Sequence, residues 1–361
     1  MTHFHLLRSA ALAAAIALLQ PQAAVASKPE LLGAGAVFPF PLYATWLAQF
    51  SRAPAVRNAY NSTGARVSYE SADSASGIAE LIAGKVDFAA SDTAITDEQI
   101  GQVERGVVAL PMTAGSIVLA YNLPGVDALR LPRQVYPKIL AGKITQWNDP
   151  AIAAANPDVA LPGLPITVVV RADATRASEV LTAHLSVIDP DFQTTIGRSR
   201  APAWPEQEVF AKATMNDGVA ARIKQIPGAI GYMDAGYARL ADWRQLAQLE
   251  NKAGNYVSAS PASSAAALAD VSFPKGTLPD GAPDLRGQSP DPGGKDAYPM
   301  VAMTWMLFYA TGYEGERLSA VRDLIRYCTS DAAQDQAAGL GYVPLPAPII
   351  ERVQNAAATI Q

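Results

Sequence analysis

The 361-residue sequence contains one cysteine and three histidines. A lone Cys328 has no partner for an internal disulfide. It falls on a helical stripe with Leu318, Val321 and Ile325, so it reads as a buried apolar residue. His3 and His5 lie at the extreme N-terminus, which leaves His184 alone in the body of the chain. There is no HExxH and no Cys/His cluster, so no metal and no cofactor are expected. A Ser-His hydrolase would have His184 as its sole candidate base. A single His on a helix is more often packed or solvated than catalytic, so no catalytic residue is assigned. A secreted hydrolase such as a phosphatase is the alternative of another class. A positive excess is also missing: 28 Lys and Arg face 33 Asp and Glu, for a net charge of −5. That argues against a nucleic-acid partner. No G-x-x-x-x-G-K-[ST] occurs. Beyond the N-terminus, no apolar run reaches the roughly 18 residues of a membrane span.

Half the residues are hydrophobic and 17% are charged, a globular composition with enough material for two cores. The N-terminus has its own logic. Arg8 precedes an apolar run from Ala10 to Leu19, and Ala24-Val25-Ala26 fits the small-x-small cleavage rule. Residues 1–26 are therefore expected to be a cleavable signal peptide, with Ser27 as the first mature residue. No Cys lies at the junction to carry a lipid.

Strand and helix signals alternate along the rest, which predicts an α/β fold. Strands are expected at Val67–Tyr69, Lys85–Ala90, Gly115–Asn122, Ile166–Val170, Ala229–Met233 and Pro299–Tyr309. Helices are expected at Pro41–Ser51, Ser76–Ala83, Ser178–Leu185 and Glu316–Cys328. Gly33-Ala34-Gly35-Ala36 reads as a turn. Pro261–Asp270 is rich in Ala and Ser, and Pro279–Lys295 in Pro, Gly and Asp. Both read as solvated excursions, and 261–295 as a flexible one.

Three times a strand is followed by small or polar residues and then a helix. A helix N-terminus offers unpaired N–H groups and a partial positive charge to an anion. The first case runs from Gly33 to Pro39, with Pro39 or Pro41 suited to a helix start. The second is Ser71 to Gly77, where Ser74 or Ser76 serves as a cap or donates to a bound anion. The third is Arg171-Ala172-Asp173-Ala174-Thr175-Arg176-Ala177-Ser178. Asp173 is placed to orient the Arg171 guanidinium for a tetrahedral anion. The same residues also suit an ordinary ion pair and cap. Asp92, just past a strand, repels a fully ionised anion but accepts a hydrogen bond from one that still carries a proton. It would therefore separate phosphate from sulfate; the competing reading is a turn-capping Asp.

These segments resemble the periplasmic phosphate-binding proteins of ABC importers over nearly all of the mature chain. The likeness is carried by Gly33 to Pro39, Val67 to Asp92 and Gly142-Lys143-Ile144-Thr145-Gln146-Trp147-Asn148-Asp149. It continues through Arg171-Ala172-Asp173, Asn216-Asp217-Gly218-Val219, Pro227-Gly228-Ala229-Ile230-Gly231-Tyr232, Ala297-Tyr298-Pro299 and Leu340 to Pro346. The resemblance implies a type II periplasmic binding protein with two α/β lobes, each a mixed sheet flanked by helices, and the ligand in the cleft. Lobe 1 would comprise 27–114 plus 296–361, and lobe 2 residues 115–295. It implies capture of inorganic phosphate by a periplasmic monomer that hands it to a membrane ABC permease complex. The implied contacts are the N–H groups of Val37 and Phe38, the Ser74 hydroxyl, Asp92, Arg171, and the Thr175-Arg176-Ala177 segment, with Asp173 supporting Arg171. The pattern departs at three places. Val37 and Ala177 stand where family members have Thr. Arg176 stands at a Gly position, where it points to solvent, adds a second cation or strains the loop. A paralogue that binds or senses another oxyanion or an organophosphate is the alternative these changes motivate.

Overall fold

The computed structural model describes residues 28–279 and 281–361. The expected signal peptide lies outside the described residues. The strands are β1 (Glu30–Gly35), β2 (Arg66–Ser71), β3 (Phe88–Ser91), β4 (Val107–Tyr121), β5 (Arg130–Leu131), β6 (Thr167–Arg171), β7 (Phe210–Ala213), β8 (Ala229–Asp234), β9 (Gln248–Glu250), β10 (Tyr256–Val257) and β11 (Val301–Tyr309). Eight of them form one mixed sheet in the order β2-β1-β3-β11-β4-β8-β6-β7, and β10-β9-β5 form a small second sheet. The expected α/β class is what the chain adopts.

β4 organises the molecule. All its residues are buried, and its dense run of Val, Leu, Ile and Ala suits a strand covered on both faces. From Val107 to Ser116 it pairs antiparallel with β11, and from Ile117 to Tyr121 with β8. It is thus the strand shared by a β2-β1-β3-β11 half and a β8-β6-β7 half. Sequence reading found only its second part. Pro111 is the obstacle, because proline inside a central strand argues against a strand. The chain accommodates it at a bulge: Thr304 pairs with Thr113 and Trp305 with Pro111, so Met112 is skipped.

The Gly33–Ala36 segment is not a turn. Gly33 and Gly35 lie within β1, and their lack of side chains serves close approach. A Cβ on Gly33 would sit 2.1 Å from the Phe88 ring, and one on Gly77 would sit 2.5 Å from the Gly35 Cα. The helix Ser74–Ile82 therefore lies directly against the end of β1. Helix Phe40–Arg52 buries Leu42, Tyr43, Trp46, Leu47 and Phe50, a spacing of three and four that makes one apolar face.

The segment expected to be a solvated excursion is packed at 263–268 and 282–287, while 269–279 is mostly exposed. Pro261–Leu268 is a helix with a capping box between Ser260 and Ser263, and it buries Ser263, Ser264, Ala267 and Leu268. Farther on, Leu278, Asp284 and Leu285 are buried. Arg286 joins Asp284 at 2.7 Å to Asp97 at 2.7 Å, and Trp305 donates to the Leu285 carbonyl. The Pro, Gly and Asp residues shape turns that are then fastened by aromatic and ionic contacts, which composition alone does not reveal. Cys328 is buried as expected.

Candidate anion-binding site

The site is assembled from loop and strand ends. Val37 and Phe38 follow β1, and their N–H groups make no hydrogen bond among the described residues. The Val37 side chain points outward, 58% exposed. The loop itself is held firmly. Tyr69 Oη donates to the Ala36 carbonyl at 2.7 Å, Tyr342 Oη donates to the Phe38 carbonyl at 2.8 Å, and the Phe38 and Tyr342 rings meet edge to face. Both N–H groups are thus fixed in place without a protein acceptor.

The cap of helix Ser74–Ile82 is neither serine that sequence reading offered. Asp73 takes the role, accepting from the Ala75 and Ser76 N–H groups at 2.9 and 3.0 Å. Ser74 is left for other work. Its buried Oγ accepts the Asp92 N–H at 3.0 Å and keeps its own proton to donate. The half-buried Asp92 carboxylate receives Thr304 Oγ1 at 3.3 Å. Burial pushes the Asp92 pKa up to about 6; Asp234 adds to the rise, while Arg176 and the Thr304 hydroxyl oppose it.

Arg171 ends β6 and is 8% exposed. Its backbone N–H donates to Tyr232 Oη at 3.1 Å. Asp173 grips the guanidinium from one edge, through Nε at 2.8 Å and through Nη2, while Asn216 Oδ1 accepts from Nη1 at 3.4 Å. A guanidinium has five N–H donors, so donors remain on Nη1 and Nη2 for two oxygens of one anion. The Arg171 hydrogen bonds hold the Asp173 carboxyl below the usual carboxylate range. Asp173 also accepts the N–H of Met215, which sits at φ 59, a left-handed conformation unusual for a residue with a side chain.

Thr175 caps the helix Arg176–Ile188 by accepting the Ala177 N–H at 3.3 Å. The cap uses that N–H, so Ala177, which is buried, brings neither a hydroxyl nor a spare amide. Arg176 resolves the alternatives left by the sequence. It begins the helix, is not among the described non-glycine residues with positive φ, and points inward at 4% exposure. Its guanidinium lies 4.2 Å above the Phe38 ring, donates Nη2 to the Ala302 carbonyl at 2.6 Å, and approaches Asp234 at 3.6 Å. Nε and Nη1 have no hydrogen-bond partner.

Asp234, Asn216, Thr304 and Tyr232 were not picked out as site residues in the sequence. Asn216 Nδ2 donates to Asp234 Oδ2 at 2.9 Å, so Asn216 and Asp234 link Arg171 to Arg176. Asn216 and Tyr232 did lie in the segments that carry the resemblance, and Asp234 is two residues beyond Tyr232. Only Thr304 has no such signal. His184 is buried elsewhere, with Nε2 against Tyr136 Oη and Nδ1 against the Pro290 carbonyl, both at 2.7 Å. Neither ring nitrogen is left for a serine. Among the described residues no group of three or more His, Cys, Asp or Glu is arranged for a metal, and no helix is long and apolar enough to cross a membrane.

This two-half α/β sheet with cations and lone amides at its loop ends belongs to a recognised class: a family model described as the PBP superfamily domain matches residues 21–332. A phosphate-binding protein PstS of Pasteurella multocida (strain Pm70) is 32% identical over 326 residues, 90% of this chain and 88% of that protein. Another, from Xylella fastidiosa (strain Temecula1 / ATCC 700964), is 30% identical over 336 residues, 92% of this chain and 86% of that protein. The crystal structure of a phosphate-binding protein from Stenotrophomonas maltophilia shares the fold, with a TM-score of 0.63 at 19% identity over 90% of this chain and 93% of that one. The chain belongs to the PstS family of phosphate-binding proteins within the PBP superfamily.

Proposed function

We propose that this protein captures inorganic phosphate in the periplasm and delivers it to a membrane ABC permease. The observation that carries the reading is the buried Arg171, held by Asp173 and Asn216 so that one donor on Nη1 and one on Nη2 stay unused. Such a fork suits two oxygens of a tetrahedral anion. The N–H groups of Val37 and Phe38 and the Ser74 hydroxyl supply further donors, and Asp92 accepts the proton of monohydrogen phosphate. Arg176 adds a second cation where Ala177 and Val37 bring no hydroxyl. Thr175 orders the segment as its cap.

Lobe 1 is assigned to 27–114 with 296–361 and lobe 2 to 115–295, with the hinge where β4 changes partner between Ser116 and Ile117. The two lobes already meet at the site, where Arg176 of the second lies 4.2 Å from the Phe38 ring and donates to the Ala302 carbonyl of the first. A clamp of this kind works as a monomer, and a cleaved signal peptide would deliver it to the periplasm.

Equilibrium dialysis with labelled phosphate tests the assignment. A hydrogen bond to a charged group contributes about 1.5–3 kcal/mol, so Arg171→Ala, which removes two, should weaken binding by roughly a hundredfold or more. An Arg171→Ala protein that is folded and binds phosphate like its parent would sink the assignment.

A further inference from the structure

Arg176 and Asp92 are also the charged wall of a cavity of about 60 Å³ between the two halves of the molecule. A buried water needs roughly 10–15 Å³ of such volume, so the space exceeds that of a single oxygen atom. Its sides are apolar: Val180, Leu268, Val301, Met303 and Trp305. Its rim is polar, where Arg198 reaches Glu179 at 2.7 Å and Gln288 at 3.3 Å. Arg176 and Asp92 thus bring charge to a cavity whose other lining is mixed, apolar apart from Thr93, Glu179, Arg198, Gln288 and Ser289.

Inorganic phosphate presents four oxygens, each of which needs a donor or a proton to share when buried. The site has lost donors at two positions: Val37 and Ala177 have no hydroxyl, and the Ala177 amide is taken by its cap. An anion with one oxygen replaced by carbon needs fewer donors and brings a group that apolar walls accept. It also keeps an ionisable proton for Asp92. We propose that the site takes a phosphorus oxyanion bearing a short alkyl substituent, of methyl- or ethylphosphonate size. Arg171, Arg176 and Asp92 would hold its three oxygens, and the alkyl group would lie in the cavity beside Met303 and Val180. This inference rests on the anion-binding reading above and narrows it.

Calorimetric titration of anion-stripped protein with phosphate, methylphosphonate and ethylphosphonate tests it, in the parent and in Ala183→Leu. Ala183 lines the cavity and plays no part in holding the oxygens. Ethylphosphonate is expected within about tenfold of phosphate for the parent, or tighter. Ala183→Leu should weaken ethylphosphonate at least about tenfold and leave phosphate within about twofold, because an added side chain overfills a packed space. Val271→Phe, another lining position, makes the same test if the first variant does not fold. Phosphate binding without any phosphonate binding overturns this inference and leaves the anion reading standing. No binding of either overturns both. Equal losses for phosphate and ethylphosphonate in the variant overturn the placement of the alkyl group.

Discussion

At the scale of single residues, Asp92 is the most informative. A carboxylate among anion ligands is unfavourable unless the anion brings a proton, and its burial makes the ionised form costly even before an anion arrives. With its pKa raised from 3.8 to about 6, the folded state binds the extra proton between those values. Its contribution to stability is therefore full below about pH 3.8 and lost as the pH rises through about 6. Asp92→Asn escapes that loss. The ligand-free variant should melt above its parent at pH 8, and the gap should close below about pH 4, as differential scanning fluorimetry would register. It should also lose most of the preference for phosphate over sulfate. A variant that melts below its parent at pH 8 would contradict the account of this carboxylate. Asp92, Arg171 and Arg176 were all legible in the sequence because each stands where a strand gives way to a loop or a helix begins, within or beside the segments that carry the resemblance. The inward course of Arg176 was not, since it depends on the Phe38 face and the Ala302 carbonyl, distant in sequence.

At the scale of elements, the site depends on how closely backbones approach. Ser74 reaches Asp92 because its helix rests on β1 with only Gly77 and Gly35 between them. Gly77→Ala places a Cβ 2.5 Å from the Gly35 Cα, and backbone cannot swing aside as a side chain can. A loss of about 1–3 kcal/mol in urea denaturation is expected, together with weaker anion binding as Ser74 moves. Unchanged stability would show that the helix slides without cost. Sequence patterning located six of the eleven described strands, all in the main sheet, and four of the fourteen described helices, because alternating and i, i+4 apolar spacing is local and shows best in the longer elements. It missed the first half of β4, where Pro111 interrupts the pattern and a bulge opposite Thr304 and Trp305 repairs it. It took the 261–295 segment for solvated chain. The contacts that fasten it, such as Arg286 to Asp97 and Trp305 to Leu285, connect remote positions.

At the scale of the whole molecule, two halves of a sheet share one fully buried strand, so the stability of each half and the geometry of the cleft are linked. His184 reports on the stability of the half that carries it. Burial drives its pKa down from 6.5 to about 4, while Tyr136 and Pro290 hold both ring nitrogens. The unfolded chain binds more protons between those values, so stability present above about pH 6.5 falls as the pH drops toward 4. His184→Gln should flatten the melting-temperature curve between pH 7 and 5 relative to its parent. Parallel curves would mean that other groups dominate acid unfolding.

The central claim is that the cleft selects a protonated tetrahedral anion, and titration calorimetry of the anion-stripped protein with phosphate and with sulfate tests it most directly. At pH 7.5 phosphate should bind and sulfate should give no heat. The discrimination should weaken as the pH falls below about 6, where Asp92 gains its own proton. Equal binding of the two anions at pH 7.5, or no phosphate heat from a folded protein, would contradict the account.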